Sequence, residues 1–298
     1  MEKLYIYSEK HHLTEGIYGQ CLTWLLELLN NLIENNKIND NTRIIFDINT
    51  LNNNNLIPNF IVPKNIYTFK IDDTVNKISL LEFKQNNKIS FKFNEHSYEI
   101  ANNIFNKFFK FNNFINNQIH EVNLSSKSLG IHYRGTDKNF DNGQSNSISC
   151  DEFLLIIDDY LKKNDVSNIF CCSDEEIFIS KIKKKYPEKI IEYKQLRSNN
   201  SKNFGFFRNG QYSSESIQND LTNNSIIDML LLSQCNTIIK TSSALSCFSK
   251  IINPNINLYC TAAMKQKWFP AGLVKPYNSE SKIIQKILQK TMAGHVYN

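Results

Sequence analysis

The stretch Leu129–Lys138, LGIHYRGTDK, contains the residue types that could most directly do chemistry. A short apolar run carries His132 and Arg134, and Asp137 and Lys138 follow it. A guanidinium fixed at the end of a strand can bind a phosphate through two parallel hydrogen bonds, whereas an ammonium acts as a point charge. We therefore interpret Arg134 as a candidate cation for a phosphate group, with a structural ion pair as the alternative.

His132 lies two residues before Arg134, so on a strand the two side chains would share one face of the sheet. This spacing makes His132 a candidate for ligand contact, and a satisfied core histidine is the alternative. For Asp137 and Lys138 the alternative is a solvent-exposed turn pair.

Two further apolar runs end in polar residues. The run Asn168–Cys172 leads into Ser173–Glu175, and the run Thr237–Ile239 leads into Thr241–Ser243, which precedes a helical pattern. In open α/β sheets ligands bind beyond the carboxyl ends of the strands, and a helix N-terminus attracts phosphate. The hydroxyls of Thr241–Ser243 could bind phosphate or simply cap the helix, and Asp174 could contact a ribose or base or cap its own helix.

The N-terminal part of the chain has the pattern that opens an α/β domain. Leu22, Leu25, Leu26, Leu29 and Ile33 recur at helical spacing between two apolar strands. The predicted elements are strand Lys3–Tyr7, helix Cys21–Ile33, strand Thr42–Ile48, strands at Asn65–Ile71 and Ile89–Phe93, and helix Glu95–Phe111.

The C-terminal part alternates strand and helix more regularly, which predicts a second parallel α/β unit. The predicted strands are Leu129–Arg134, Asn168–Cys172, Lys189–Tyr193 and Thr237–Ile239, and the helices are Cys150–Lys163, Glu175–Tyr186, Ser225–Cys235 and one that follows Thr241–Ser243. The polar stretch Asn112–Ser128 separates the two patterns. We predict an N-terminal domain over residues 1–125 and a C-terminal domain over residues 126–298.

Composition excludes several classes of protein. The 298 residues carry a net charge of +5, and the lysines are scattered rather than gathered into a stripe, so we do not expect a nucleic-acid partner. The seven cysteines form no CxxC pair, which favours reduced core thiols over a zinc site. No apolar run reaches the roughly 20 residues that span a bilayer, and the N-terminus lacks the order of a secretory signal, so we expect a soluble, cytoplasmic protein.

Three blocks of the C-terminal half resemble the fucosyltransferase superfamily that includes α1,6-fucosyltransferases, nodulation fucosyltransferases and protein O-fucosyltransferases. GIHYRGTDK resembles the donor-binding motif His-x-Arg-x-Thr-Asp-Lys. IFCCSDEEIFISKIKKKYP, Ile169–Pro187, and SIIDMLLLSQCNTIIKTSSALS, Ser225–Ser246, look like the next two blocks in the same order. EGIYGQ, Glu15–Gln20, resembles an opening loop of such enzymes more loosely.

The resemblance implies a GT-B-type fold, in which two Rossmann-like domains face a cleft. The N-terminal domain would take the acceptor, and the C-terminal domain would take the nucleotide sugar. The implied activity is inverting, metal-independent transfer of fucose from GDP-fucose to a glycan or glycoconjugate, with no cofactor. The alternatives are another nucleotide sugar on the same fold, or a non-catalytic nucleotide- or sugar-binding relative.

The resemblance also assigns roles to residues. The predicted catalytic group is Arg134, Asp137 and Lys138, which match the motif, with Asp141 added as a nearby carboxylate, and the predicted nucleotide-binding group is His132, Arg134, Asp174, Asp228, Thr241, Ser242 and Ser243. Two departures stand out: Gly135 occupies the position of a second arginine, and the carboxylate that would serve as base has no clear counterpart. Asp141, Glu15 or no dedicated base are the options left open.

Overall fold

The structure is a computed structural model, and it describes residues 2–8, 22–49, 61–86, 91, 94–135, 146–191, 193–195, 197, 215–263 and 269–295. The chain divides into two compact units, Met1–Asn117 and Gln118–Asn298. The roles of acceptor domain and nucleotide domain stay predictions.

The N-terminal unit is built on a small parallel sheet. Strand β1 pairs in parallel with β2 and β4 in the order β2-β1-β4, and β3 pairs antiparallel with β5. The elements are β1 (Lys3–Tyr7), α1 (Thr23–Glu34), β2 (Arg43–Asn49), β3 (Ile61–Pro63), β4 (Asn76–Ser79), α2 (Leu80–Asn86), α3 (His96–Phe108), β5 (Phe109–Phe111) and α4 (Asn113–His120).

Helix α1 confirms the strongest helical pattern of this half. Leu25, Leu26 and Leu29 are almost completely buried, as their spacing on one face predicts. Glu27 on the same helix is also buried, and its carboxylate Oε2 lies 2.7 Å from the Lys84 Nζ of α2. This ion pair offsets part of the cost of taking the carboxylate out of water, and burial still raises the pKa of Glu27.

Two of the less regular predictions in this half are wrong. Residues 65–71 form no strand, because Ile66 and Ile71 face solvent and the rings of Tyr67 and Phe69 lie near basic side chains. The predicted helix Glu95–Phe111 ends at Phe108, because the chain becomes extended at Phe109 and forms strand β5. Of the predicted strand at 89–93, only Phe91 is described, and it lies outside any strand.

The C-terminal unit contains a six-stranded sheet whose strands all run parallel, in the order β11-β10-β9-β6-β7-β8. This confirms the predicted parallel α/β unit, and the order is that of a Rossmann sheet. The elements are β6 (Ser128–Tyr133), α5 (Cys150–Lys163), β7 (Asn168–Ser173), α6 (Glu176–Lys185), β8 (Ile190–Ile191), α7 (Glu215–Ser233), β9 (Thr237–Lys240), α8 (Ala244–Ile252), β10 (Asn257–Cys260), β11 (Lys275–Pro276) and α9 (Lys282–Thr291).

Helix α7 begins at Glu215, well before the predicted start at Ser225. The residues between them, ESIQNDLTNN, are mostly polar and show no apolar period, so the sequence did not indicate a helix there. Strands β10 and β11 and helix α9 were not predicted, because their apolar runs are short.

Helices cover both faces of this sheet, and strand β6 shows the alternation. Leu129, Ile131 and Tyr133 belong to the core formed with α5, α6 and α9, where Tyr133 stacks on Phe178 at 4.4 Å between ring centroids. The intervening residues face the opposite layer, in which Gly130 lies against Leu232 of α7. His132 therefore points towards α7 and α8.

Gly130 is a position where the sheet and α7 approach closely. A Cβ built there would lie 2.9 Å from Leu232 Cδ2, 3.1 Å from Ile238 Cγ1 and 3.3 Å from Cys235 Cβ. We expect Gly130→Val to lower the free energy of unfolding by about 1–3 kcal/mol, because an overpacked core forces its neighbours to move. Urea denaturation measures the loss, and Gly130→Ala should lose less. A valine variant as stable as the wild type would show that this layer is loosely packed.

Candidate functional site

The strand order of the C-terminal sheet reverses between β6 and β9. From β6 the chain continues to β7 and β8 on one side, and it then returns to β9, β10 and β11 on the other side. Ligands of such sheets bind beyond the carboxyl ends of the strands at the point of reversal. Arg134 follows β6 at this point, and Thr241 follows β9.

Arg134, Asp174 and Thr241, which follow three adjacent strands, are joined by hydrogen bonds, and we call them the site edge. The Arg134 backbone N–H donates to Thr241 Oγ1 at 2.8 Å, and Arg134 Nε lies 3.2 Å from Asp174 Oδ2. The other oxygen of Asp174 accepts a hydrogen bond from the Gly135 backbone N–H at 3.0 Å. Asp174 is buried, whereas the Arg134 side chain is 26% exposed. The structural ion pair and a partly accessible guanidinium are therefore both present.

His132 lies directly beneath the site edge and is almost fully buried. Its Nδ1 lies 3.0 Å from Ser246 Oγ of α8, and its backbone carbonyl accepts a hydrogen bond from the Thr241 N–H. Burial lowers the pKa of His132 well below its usual value, and the charges of Lys240 and Arg134 lower it further. The imidazole is therefore neutral and has a polar partner in the core.

The turn Thr241–Ser243 leads into helix α8. Ser243 is in the N-cap position, but its side chain makes no capping hydrogen bond, while its carbonyl accepts from Cys247 Sγ. The alternative in which Ser243 simply caps the helix through its hydroxyl is therefore not what the structure shows. Thr241 and Ser242 are both buried against the sheet.

The carboxyl group of Glu175 occupies the space beside Gly135. A Cβ built on Gly135 would lie 2.2 Å from Glu175 Oε1 and 2.4 Å from its Cδ. Glu175 is 2% exposed, and its Oε1 has no hydrogen-bond partner in the part of the chain that the structure describes. The position where the resemblance would place a second arginine thus has no room for a side chain while Glu175 stays in place.

Glu175 should make the stability of the protein depend on pH. Burial and the neighbouring Asp174 raise the pKa of Glu175 to about 7, so folding favours the protonated carboxyl and stability falls as pH rises from about 4.5 through 7. We expect Glu175→Gln to match the wild type at pH 5 and to be more stable at pH 8 by about 2 kcal/mol.

Urea denaturation at the two pH values tests this, with Glu188→Gln as the control because Glu188 is exposed. Equal stabilities of wild type and Glu175→Gln at pH 8 would contradict the assignment of a buried, protonated Glu175.

Asp228 lies on helix α7 and is 5% exposed. Its Oδ2 accepts a hydrogen bond from Gln195 Nε2 at 2.7 Å, whereas its Oδ1 is buried and has no hydrogen-bond partner among the described residues. Burial raises the pKa of Asp228 to about 7, against the opposing effects of Gln195 and the charge of Arg197. Asp228 is thus a buried carboxyl group that uses one of its two oxygens in a described hydrogen bond.

The structure joins some of the predicted site residues and leaves others untested. It places His132, Arg134, Asp174 and Thr241 in one hydrogen-bonded group. Cys172 of β7 is paired in register with His132. Burial raises the pKa of the Cys172 thiol, and the charge of Asp228 raises it further. Of the remaining assignments, Glu15, Asp137, Lys138 and Asp141 lie outside the described residues.

Sequence reasoning missed four residues of this neighbourhood: Gln195, Arg197, Lys240 and Ser246. Gln195 and Arg197 follow a strand of only two residues and belong to no motif, so no signal marked them. Lys240 could have been found, because a lysine that ends an apolar strand before Thr-Ser-Ser is unusual. It is completely buried and pairs in register with His132.

No protein-family model matches the chain, and no curated protein matches its sequence. Solved structures do match: the fucosyltransferase NodZ from Bradyrhizobium aligns with a TM-score of 0.50 and 12% identity, covering 86% of this chain and 94% of its own. FUT1 from Arabidopsis thaliana, solved with GDP, aligns with a TM-score of 0.47 and 8% identity over 88% of this chain and 70% of its own. POFUT1 aligns with a TM-score of 0.43 and 10% identity over 83% and 94%.

The chain therefore has an α/β fold of the GT-B-like class, with parallel sheets. More particularly, its fold is similar to that of the NodZ fucosyltransferase. Within the described part of the chain, no three metal-ligand side chains cluster, and no helix is both long and apolar enough to cross a membrane.

Proposed function

We propose that this protein is an inverting, metal-independent glycosyltransferase that moves fucose from GDP-fucose to a glycan or glycoconjugate. The likeness in fold to a fucosyltransferase supports this proposal, as do the three sequence blocks. The observation that carries it is the position of Arg134, which Asp174 and Thr241 fix where the strand order reverses.

The reaction requires positive charge at the leaving group. An acceptor hydroxyl oxygen attacks C1 of the sugar, the bond between C1 and the β-phosphate oxygen breaks, and its electron pair leaves with the diphosphate. A guanidinium that is already oriented stabilises this charge without having to reorganise during the step. Asp174 orients Arg134 through Nε, which is the role of a carboxylate behind a catalytic cation.

The turn Thr241–Ser243 is suited to a phosphate group. Its hydroxyls lie at the N-terminus of α8, where the backbone N–H groups of the first turn are not capped by Ser243. Such N–H groups and the helix dipole both favour an anion. In this proposal the turn binds the diphosphate on the side opposite Asp174.

Asp228 is suited to bind a nucleotide base that donates hydrogen bonds. Guanine presents N1–H and an exocyclic amino group on one edge, and an ionised carboxylate is an acceptor only. Asp228 Oδ1, which has no hydrogen-bond partner within the described part of the chain, would supply this acceptor. Transfer also requires a general base that removes the proton of the acceptor hydroxyl. Asp141 stays the candidate for this role, and Asp137 and Lys138 are assigned to the same loop.

A calorimetric titration with GDP-fucose, GDP-mannose, GDP and UDP-glucose, in the presence of EDTA, tests the proposal. We expect the guanine nucleotides to bind and UDP-glucose not to bind, with turnover restricted to GDP-fucose. Turnover of GDP-mannose instead would reassign the donor sugar, and binding without turnover would indicate a non-catalytic relative. Binding that requires a divalent metal, or no guanine-nucleotide binding at all, would contradict the proposal.

A further inference from the structure

Gln195 and Arg197, which follow strand β8, both act on Asp228. Gln195 Nε2 donates to Asp228 Oδ2 at 2.7 Å, a short hydrogen bond to a buried carboxylate. This hydrogen bond to Oδ2 restrains the rotation of the carboxyl group, and Oδ1 is the oxygen for which the described residues provide no partner.

Arg197 is held in place by contacts with Tyr193 and Glu176. Its Nη2 donates to the Tyr193 carbonyl at 3.0 Å, and its Nη1 lies 3.4 Å from Glu176 Oε2. The Arg197 side chain is only 6% exposed, so water screens its charge poorly. Arg197 therefore exerts a positive potential on Asp228 from a fixed position.

We propose that Gln195 and Arg197 are positioning residues for Asp228, which keep its carboxylate oriented and available as a hydrogen-bond acceptor for the nucleotide base. This inference rests on the proposed function, because it concerns the same nucleotide site. Neither residue belongs to the three blocks that carry the resemblance.

The physical reason is that a buried carboxyl group has two competing forms. Burial favours the protonated form of Asp228, whereas Gln195 and Arg197 both favour the ionised form. A protonated carboxyl would present a donor to the N–H groups of guanine and would lose the interaction. Among the described residues, the other titratable groups that interact with Asp228 are Tyr193 and, from β7, Cys172; burial raises the pKa of both, so both stay neutral near pH 7.

The test compares affinity for GDP-fucose at pH 7 and pH 8.5 in Gln195→Met, which keeps the length of the side chain and removes the donor. GDP-fucose is the probe because its diphosphate diester keeps its charge over this range. If the loss of the donor raises the pKa of Asp228 by about one pH unit, the affinity of Gln195→Met for GDP-fucose falls about fivefold at pH 7 and by less than about twofold at pH 8.5. Recovery at high pH is a readout that a merely structural role would not produce.

Arg197→Met should show the same recovery, and Arg197→Lys should bind as the wild type does because it keeps the charge. Gln195→Glu places a second carboxyl beside Asp228, so its affinity for GDP-fucose should recover only at a still higher pH. The matched control is Gln285→Met, since Gln285 donates to the Ser279 carbonyl near α9, away from Asp228.

Each outcome is decisive. If Gln195→Met binds as the wild type does at both pH values, or loses the same factor at both, the positioning role is wrong and the proposed function stands. If the wild type binds no guanine nucleotide, the proposed function itself fails. If one of the four variants at Gln195 and Arg197 does not fold, the other three test the positioning role.

Discussion

Replacing Arg134 with lysine should lower the turnover of GDP-fucose by about 100-fold or more, although the charge is kept. Removing one oriented donor from a developing oxyanion typically costs about 100- to 1,000-fold in rate. Lysine cannot reproduce the planar fork, and it has no Nε–H for Asp174, which lies 3.2 Å from Arg134 Nε. Release of GDP from GDP-fucose, with and without an acceptor, measures the loss.

Arg43→Lys is the matched control for this experiment. Arg43 lies on β2 in the N-terminal unit, with its guanidinium 5.9 Å from the centroid of the Tyr67 ring, so the same substitution there should leave GDP release unchanged. Turnover by Arg134→Lys within about threefold of the wild type would remove Arg134 from the chemistry and leave it as a structural ion pair.

Replacing Asp228 with asparagine should weaken GDP-fucose binding by about 10- to 100-fold, the usual range for a lost hydrogen bond to a charged group. It should also abolish a pH dependence that the wild type shows. Because the pKa of Asp228 is raised to about 7, wild-type affinity should fall about tenfold for each pH unit below 7 and level off above it. In the asparagine variant the profile should be flat.

Titrations at pH 5.5, 6.5, 7.5 and 8.5 measure both effects. Asp165→Asn is the control, because Asp165 is an exposed partner of Lys127 on the surface. A wild-type affinity that is independent of pH over this range would mean that Asp228 does not accept a hydrogen bond from the nucleotide.

The sequence predicted most where local signals agreed. Helix α5 has the predicted bounds, Cys150–Lys163, because Ser149 and Glu152 form a capping box that marks its start and an apolar face continues to its end. Short apolar runs that end in polar residues likewise predicted strand β6 and the strand ends before Asp174 and Thr241. Once the strands are parallel, their carboxyl ends meet at one edge, so the proximity of Arg134, Asp174 and Thr241 follows from the pattern.

What the sequence did not show depends on packing between distant segments. Gln195 and Asp228 are 33 residues apart, and no periodicity predicts that their side chains meet. The burial of Glu175 against Gly135 depends likewise on how tightly β7 packs beside β6. The secondary structure of the N-terminal half was predicted less accurately. In residues 65–71 the aromatic rings lie against Lys3 and Arg43 instead of filling a core, so the strand predicted there does not form.

The contact between Gly135 and Glu175 constrains the order in which these two positions can change. A Cβ at position 135 would overlap the end of the Glu175 side chain, so a Gly135→Arg substitution requires Glu175 to change its conformation or to be replaced by a shorter residue. A lineage that gains the second arginine is therefore expected to change residue 175 as well. The two positions are thus expected to be epistatic, so that the paired swap with an arginine-bearing homologue costs less stability than the sum of the two single swaps.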